Sequence, residues 1–342
     1  MRGLALAPAF ACAWAFAAAV PARAAADSLT VSPTDTRSSP TDTLASPTDT
    51  LASLPFVLVP ERTYGRFGVR AGELTTPEGI AIDPRGQVLV ADTGNHRVVR
   101  FDSTGVTLGE FGGFGYDPGR FDRPTDLFVG GTLNIWVLDR GNARIVKYDI
   151  EGRFIGVIVD LESDPVRARL GLIQPTGFSS DQGGELYVAD RAGDRVIVFD
   201  PLGAVLDVRG GFGTQGGRFH DPTGVAVDAR ARLLVADGGN ARVQLLDSFG
   251  GAMGSFALAE GMTGREGLSV AFGPGGTWAL ADRATGRLAW WDARGRLLAR
   301  YAPSGKKDLW AGSVAFDGGG RLYLSDPRAH RVVRMLARPA GP

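Results

Sequence analysis

Residues 79–105 read GIAIDPRGQVLVADTGNHRVVRFDSTG, and within them Asp92 stands five residues before Arg97. The same spacing recurs at Asp139/Arg144, Asp190/Arg195, Asp237/Arg242, Asp282/Arg287 and Asp326/Arg331, with successive aspartates 47, 51, 47, 45 and 44 residues apart. A period of this size marks one supersecondary unit used repeatedly, because a single unit cannot bury its own apolar face. In the first copy, β-rich runs at 79–83, 88–92 and 97–102 are separated by turn residues, and a fourth follows around 106–111. Such lengths and punctuation predict four antiparallel strands joined by tight hairpins. Val88-Leu89-Val90-Ala91 is apolar at successive positions. Both faces of that strand must therefore be covered, as in a propeller blade packed between two others.

The Asp/Arg pairs acquire geometry from this reading. Residues five apart across a short loop face each other in a hairpin, where carboxylate and guanidinium close the loop with paired hydrogen bonds. Repetition argues for architecture, since a catalytic group is needed once and a hairpin brace in every blade. A second marker, aspartate with glycine three residues later, occurs at Asp102/Gly105, Asp149/Gly152, Asp200/Gly203, Asp247/Gly250 and Asp292/Gly295, and the last copy lacks it. It predicts a bulge-type turn with glycine at positive φ. Phe-Gly-x-x-x-Gly, with proline ten residues after the phenylalanine, occurs at Phe114 and Phe212, and also at Phe67, ahead of the first complete copy. Residues 57–66 thus read as an outer strand without its three partners, and the last copy as three strands without an outer one. The economical solution is a ring whose N-terminal strand completes the last blade and removes the free edges. The expectation is an all-β, six-bladed β-propeller of four-stranded antiparallel blades over residues 55–342.

The chain carries 37 basic and 37 acidic side chains among 342 residues, which argues against general attraction to nucleic acid or anionic lipid. Residues 1–26 start with Met1-Arg2, continue through an apolar stretch and end in Ala-rich small residues, the pattern of a secretory signal peptide. Beyond it no apolar run is long enough to predict a membrane span. The single cysteine, Cys12, lies inside that stretch. Cleavage would leave a mature chain with neither disulfide nor thiol chemistry, which suits export to a bacterial periplasm or the extracellular space. In residues 27–54, Ser-Pro-Thr-Asp-Thr occurs three times with a seven-residue period. Proline and the lack of an apolar seam exclude a coiled coil, and the composition predicts a disordered linker.

The stretch at 79–105 resembles the NHL repeat, with Asn95-His96-Arg97 at the position of the trio that names it, and copies at 134–149, 186–200, 233–247 and 322–334 drift from it. The fifth copy departs most: Arg265 replaces the proline before its first strand, and its third strand carries Trp290-Trp291. The resemblance implies a six-bladed propeller and no single activity. Such propellers serve as extracellular sensor domains and as protein- or RNA-binding platforms, and relatives of the same architecture include lactonase-like and peptide-amidating metalloenzymes.

Two functional classes follow. Residues just before each innermost strand should ring one mouth of the central channel: Glu78, Thr125 with Asp126, Thr176, Thr223, Glu266 and Ala311. Glu78, Asp126 and Glu266 are the candidate ligands of a hard cation such as Ca2+, which prefers oxygen. Lactonase-like propellers are similar in placing a metal-binding glutamate before a glycine, as in Pro77-Glu78-Gly79, which would make the chain a metal-dependent hydrolase or lyase. His96, His220 and His330 could in number satisfy zinc. However, His96 and His330 share one place in their repeats and His220 holds another, so convergence is not expected. No Gly-x-Ser-x-Gly elbow is present. The other class is a non-catalytic, monomeric binding scaffold or sensor module that takes a protein, peptide or glycan through its inter-blade loops. The segments 111–123 and 208–221, rich in Phe, Gly and Arg, would carry such binding, or their phenylalanines would pack between blades. The insertion at 162–172 has helical character.

Overall fold

The structure, a computed structural model, describes residues 54–130, 133–305 and 307–340. The predicted signal peptide and nearly all of the predicted linker lie outside the described residues. Six four-stranded antiparallel sheets make up the rest, each with its strands in order from the inside outward. Blade 1 comprises Pro77–Ile82, Val88–Asp92, Arg97–Phe101 and Thr107–Gly112, and blades 2 to 5 repeat it. Blade 6 takes Val314–Phe316, Leu322–Asp326 and Arg331–Pro339 from the C-terminal end and its outer strand, Phe56–Tyr64, from the N-terminal end. Pairing there runs from Phe56↔Pro339 to Tyr64↔Val332, with an irregularity between Pro60 and Arg62, where proline offers no N–H to the ladder. Glu61 adds an ion pair to Arg334 at 2.7 Å.

Each second strand is buried along its whole length. Strand periodicity explains why. In blade 1, Leu89 and Ala91 join the core shared with blade 2, whereas Val88 and Val90 join the core shared with blade 6. The hydrophobic interior is therefore six inter-blade layers, and a continuous apolar run is what such a strand requires. In blade 5, Trp278 stacks on Trp291 at 4.1 Å and 10° inside one such layer. Among the described residues, no helix is long and apolar enough to cross a membrane. The insertion after blade 2 does form a short helix, Asp164–Leu170, opened by Pro165.

All six aspartates of the Asp/Arg pairs are fully buried. Five are joined to their arginines through Nε–Oδ2 contacts: Asp92–Arg97, Asp139–Arg144 and Asp190–Arg195 at 2.8 Å, Asp237–Arg242 at 2.7 Å and Asp326–Arg331 at 3.2 Å. The pairs also do more than brace a hairpin. In blades 1 to 5 the carboxylate accepts the backbone N–H of the segment that crosses into the blade, from Thr75, Asp122, Gln174, His220 and Thr263. The guanidinium reaches carbonyls of the same crossing, as Arg97 does at Arg70 and Glu73 and Arg242 at Gln215 and Arg218. Asn95, Asn142 and Asn240, three residues after their aspartates, bridge the carboxylate to a crossing carbonyl. Despite these donors, burial holds the Asp92 and Asp139 carboxyls above the ordinary aspartate value.

Blade 5 corrects the sequence expectation. Asp282 and Arg287 are cross-strand partners, yet no ion pair joins them. Thr285, which replaces the bridging asparagine, and the N–H of Thr263 occupy Asp282 Oδ2, and Arg287 turns away to the Glu260 carbonyl at 3.4 Å. The Asp-x-x-Gly turns behave as the spacing predicts: Gly105, Gly152, Gly203, Gly250 and Gly295 all have φ between +78° and +94°.

Breaking a buried ion pair by removing one partner leaves an uncompensated charge and costs about 3–5 kcal/mol, whereas a loosely held, solvent-facing arginine contributes about 1 kcal/mol or less. Arg144→Ala is therefore expected to lower unfolding stability several-fold more than Arg287→Ala, measured by urea denaturation of the two variants side by side.

Candidate functional site

Antiparallel strands alternate in direction, so the turn between second and third strands lies at the same end of a blade as the crossing segments. The hydrogen bonds from crossings to the buried aspartates show the two in contact. One face of the ring therefore carries the crossings, the Asp/Arg hairpins and the beginnings of the inner strands, around a central cavity of about 260 Å³.

Glu78, Asp126 and Glu266 all line this cavity, together with Thr125, Thr176 and Thr223. Ala311 does not: it is fully buried, and blade 6 contributes Ser313 two residues later. Three arginines that sequence reading passed over, Arg140, Arg191 and Arg283, line it too. They share one signal, since each directly follows the buried aspartate of its repeat, where the other repeats have Thr93, Gly238 and Pro327. Arg283 of blade 5 reaches past blade 6 to Glu78 of blade 1 at 2.8 Å, and Arg191 holds Asp221 at 3.2 Å.

These partners decide what the carboxylates can do. Glu78 is neutralised by a guanidinium. Asp126 accepts the N–H of Leu127 at 2.9 Å and of Phe178, in blade 3, at 3.1 Å. Loss of water in the narrow channel pushes the Asp126 carboxyl up to about 7, opposed by those two donors and by Arg283 and assisted by the Glu78 charge. Glu266 is exposed on the far wall. A hard cation needs several oxygens converging at one point. Among the described residues no three His, Cys, Asp or Glu side chains gather in that way. The three carboxylates share a cavity but do not fit a calcium site.

The histidines serve the blade junctions. His96 and His330, both in the left-handed conformation, accept through Nδ1 the N–H of Arg123 and Thr76, themselves at positive φ in the next crossing. Asp194 does the same for Asp221 in blade 3. The alternative left open for the loop phenylalanines is resolved residue by residue. Phe121 and Phe219 are fully buried between blades, whereas Phe67, Phe114 and Phe212 are 67%, 72% and 72% exposed. Each exposed ring rests on an imidazole: Phe67 on His330 at 4.6 Å, Phe114 on His96 at 4.9 Å and Phe212 on His220 at 5.3 Å.

Comparison with known proteins agrees with this architecture. Residues 74–101 match the family model of the NHL repeat. A stretch of 42 residues, 12% of the chain, is 48% identical to the B-box type zinc finger protein ncl-1 of Caenorhabditis elegans, and one of equal length is 45% identical to Protein brain tumor of Drosophila melanogaster. These matches span only 5% and 4% of the length of those proteins. Among solved structures, a streptogramin B lyase is similar in fold, with TM-score 0.58 and 13% identity over 83% of this chain and 98% of that one. A chain of a nidogen/laminin complex is similar too, with TM-score 0.50 and 18% identity over 69% and 83%.

The Asp126 shift has a signed consequence. Its folded value of about 7 lies above the ordinary 3.8, so the folded state holds the proton more tightly. The stability this contributes is complete below about pH 4 and lost as pH rises through about 7, up to roughly 4 kcal/mol. Asp126→Asn removes that dependence: urea unfolding at several pH values should show the wild type losing stability relative to the variant across this window.

Proposed function

Because the chain is an NHL-repeat β-propeller, we propose that it is a binding module that engages a protein or peptide through the face carrying the blade crossings. The carrying observation is the set of three exposed phenylalanines at one repeated position, Phe67, Phe114 and Phe212. Exposed Val69 and Tyr116 extend the same crossings. Large apolar side chains in water mark interaction surfaces, and aromatic anchors dominate their energetics. Packing each ring against an imidazole restricts its rotamers before a partner arrives, which lowers the ordering cost of association. The backbone beneath is held by the buried Asp/Arg pairs, so the anchors sit on a rigid frame. The fold likeness to a chain of a nidogen/laminin complex is compatible with protein binding. The sequence pattern of residues 1–26 supports action outside the cytoplasm, where the propeller would serve as a scaffold or sensor. A metal-dependent hydrolase or lyase has less support, since Glu78 is already committed to Arg283.

The test is a displayed peptide library selected against the full chain, with the selected peptides then measured on the triple variant Phe67→Ala/Phe114→Ala/Phe212→Ala. These rings are exposed, so the thermal midpoint should stay within a few degrees of wild type. Affinity is expected to fall at least about tenfold, the loss typical of truncated anchors. Equal binding by wild type and triple variant would place recognition elsewhere and refute the reading.

A further inference from the structure

The crossings repeat one loop, and its charges are arranged in two ways. FGVRAGEL at 67–74, FGYDPGRF at 114–121 and FGTQGGRF at 212–219 share a backbone form. In each, the first and last residues make an isolated parallel bridge: Phe67↔Leu74, Phe114↔Phe121 and Phe212↔Phe219. The opening phenylalanine is exposed in all of them. What differs is the residue just before the ring and the one six places after it. In the first loop these are Arg66 and Glu73, joined by an ion pair at 3.2 Å. The Glu73 carboxylate also accepts the N–H of Arg70 at 3.0 Å and lies against Gly68, next to Phe67. In the other loops they are Gly113 with Arg120 and Gly211 with Arg218. The arginine has changed places, and no carboxylate has come with it.

Each of these arginines is held beside its phenylalanine. A Cβ built on Gly115 would stand 3.3 Å from Arg120 Cβ, and one on Gly113 2.6 Å from Arg120 Nη1, so the side chain runs along both neighbours of Phe114. Arg218 lies in the same way along Gly213 and Gly211, at 3.0 and 2.8 Å. Nη1 of each guanidinium donates to a loop carbonyl, from Arg120 to Gly112 at 3.2 Å and from Arg218 to Gly210 at 2.6 Å. That bond fixes the group in place. Both side chains are exposed, and neither has an ion pair among the described residues. Nearby acids are engaged differently. Asp122 is shared by His96 and Arg123, each at 3.4 Å. Asp117 meets Arg120 through backbone alone, its carbonyl accepting the Arg120 N–H at 3.0 Å, and Gln215 holds that place in the Phe212 loop.

We propose that the loops at Phe114 and Phe212 each bind an acidic side chain of a peptide or protein partner, a glutamate or aspartate standing beside a large apolar residue. The apolar residue covers the phenylalanine, and the carboxylate takes the guanidinium N–H groups that the loop leaves free. A guanidinium presents its donors in a planar fork matched to a carboxylate. An apolar side chain settling on the adjacent ring removes water from the pair and strengthens it. The first loop shows the arrangement within one chain, since there a carboxylate and a guanidinium already meet beside Phe67. Phe67 therefore offers apolar contact without a free cation. The attraction is local, because the chain as a whole is neutral. This inference rests on the reading of the phenylalanines as a binding surface and names the chemistry of what they bind.

The experiment extends the displayed-library selection to the double variant Arg120→Gln/Arg218→Gln. The substitutions keep the backbone carbonyls that Arg144 and Arg242 use, so the thermal midpoint should stay within a few degrees of wild type. Selection on the wild-type full chain is expected to enrich glutamate or aspartate next to large apolar residues. Selection on the double variant is expected to enrich the apolar residues alone. Selected peptides, acetylated and amidated so that only side chains carry charge, are then titrated beside counterparts in which each acid is replaced by its amide. That replacement should weaken binding to the wild type at least about fivefold and leave binding to the double variant unchanged, the coupling expected of a direct pair. Binders that need the phenylalanines but show no acid preference would overturn this inference and leave the aromatic surface standing, as would acids whose replacement costs both proteins equally. Absence of any phenylalanine-dependent binder would overturn both readings. Oligothymidylate binding more tightly than the acidic peptides, and lost in the double variant, would assign the arginines to a nucleic-acid backbone and overturn the inference too.

Discussion

A carboxylate sealed from water must be satisfied from within the protein, and this constraint organises the ring. Six aspartates, one in each blade, are fully buried at the hairpin between second and third strands. In blades 1 to 5 each accepts an N–H from the crossing that enters the blade, and in five blades an arginine neutralises it. The crossing is thereby fixed to the blade it leads into, and in most blades the arginine binds the crossing carbonyls as well. Apolar layers hold neighbouring blades face to face without specifying how the chain passes between them. The charged groups supply that specification. Blade 5 shows which part is dispensable. Its arginine has turned away, but the aspartate still accepts from Thr263 and Thr285. Satisfying the buried carboxylate is the requirement, and the arginine is one means of meeting it.

Much of the fold was legible because repetition amplifies weak signals. A single Asp-x-x-x-x-Arg means little, whereas six at nearly constant spacing define a blade. Closure could be read from two absences, the missing fourth strand of the last copy and the outer strand of residues 57–66 with no blade before it, and the strand that forms is Phe56–Tyr64. What could not be read depended on where a side chain goes once the backbone is placed. Asp282 and Arg287 occupy the expected register, but a threonine in place of asparagine redirects the hydrogen bonds.

The candidate site shows the same limit. The sequence placed Glu78, Asp126 and Glu266 around one mouth, and they do line one cavity. Their chemistry was hidden because the partner of Glu78 is 205 residues away, on a blade that is not its neighbour. Arg140, Arg191 and Arg283 each directly follow a buried aspartate but carry no repeat signal, because that position differs from copy to copy. In a repeat protein the shared positions report on architecture, and the deviations are where a site can be built. The exposed phenylalanines belong to an intermediate class: Phe114 and Phe121 stand in one loop, and only the backbone geometry turns one outward and the other into the core.

The face that the buried carboxylates organise carries the aromatic anchors and the arginines beside them, so its rigidity underlies both functional readings. Amide hydrogen exchange followed by NMR tests that rigidity most directly, at the N–H groups of Thr75, Asp122, Gln174, His220 and Thr263. These residues lie outside the strands, and an N–H exposed in a loop exchanges rapidly, whereas one bonded to a buried acceptor exchanges only when the structure opens. The account predicts that these five amides are protected to nearly the same degree as those of the inner strands. Exchange as fast as in an exposed loop would contradict it, since the crossings would then not be tied to the buried aspartates at all.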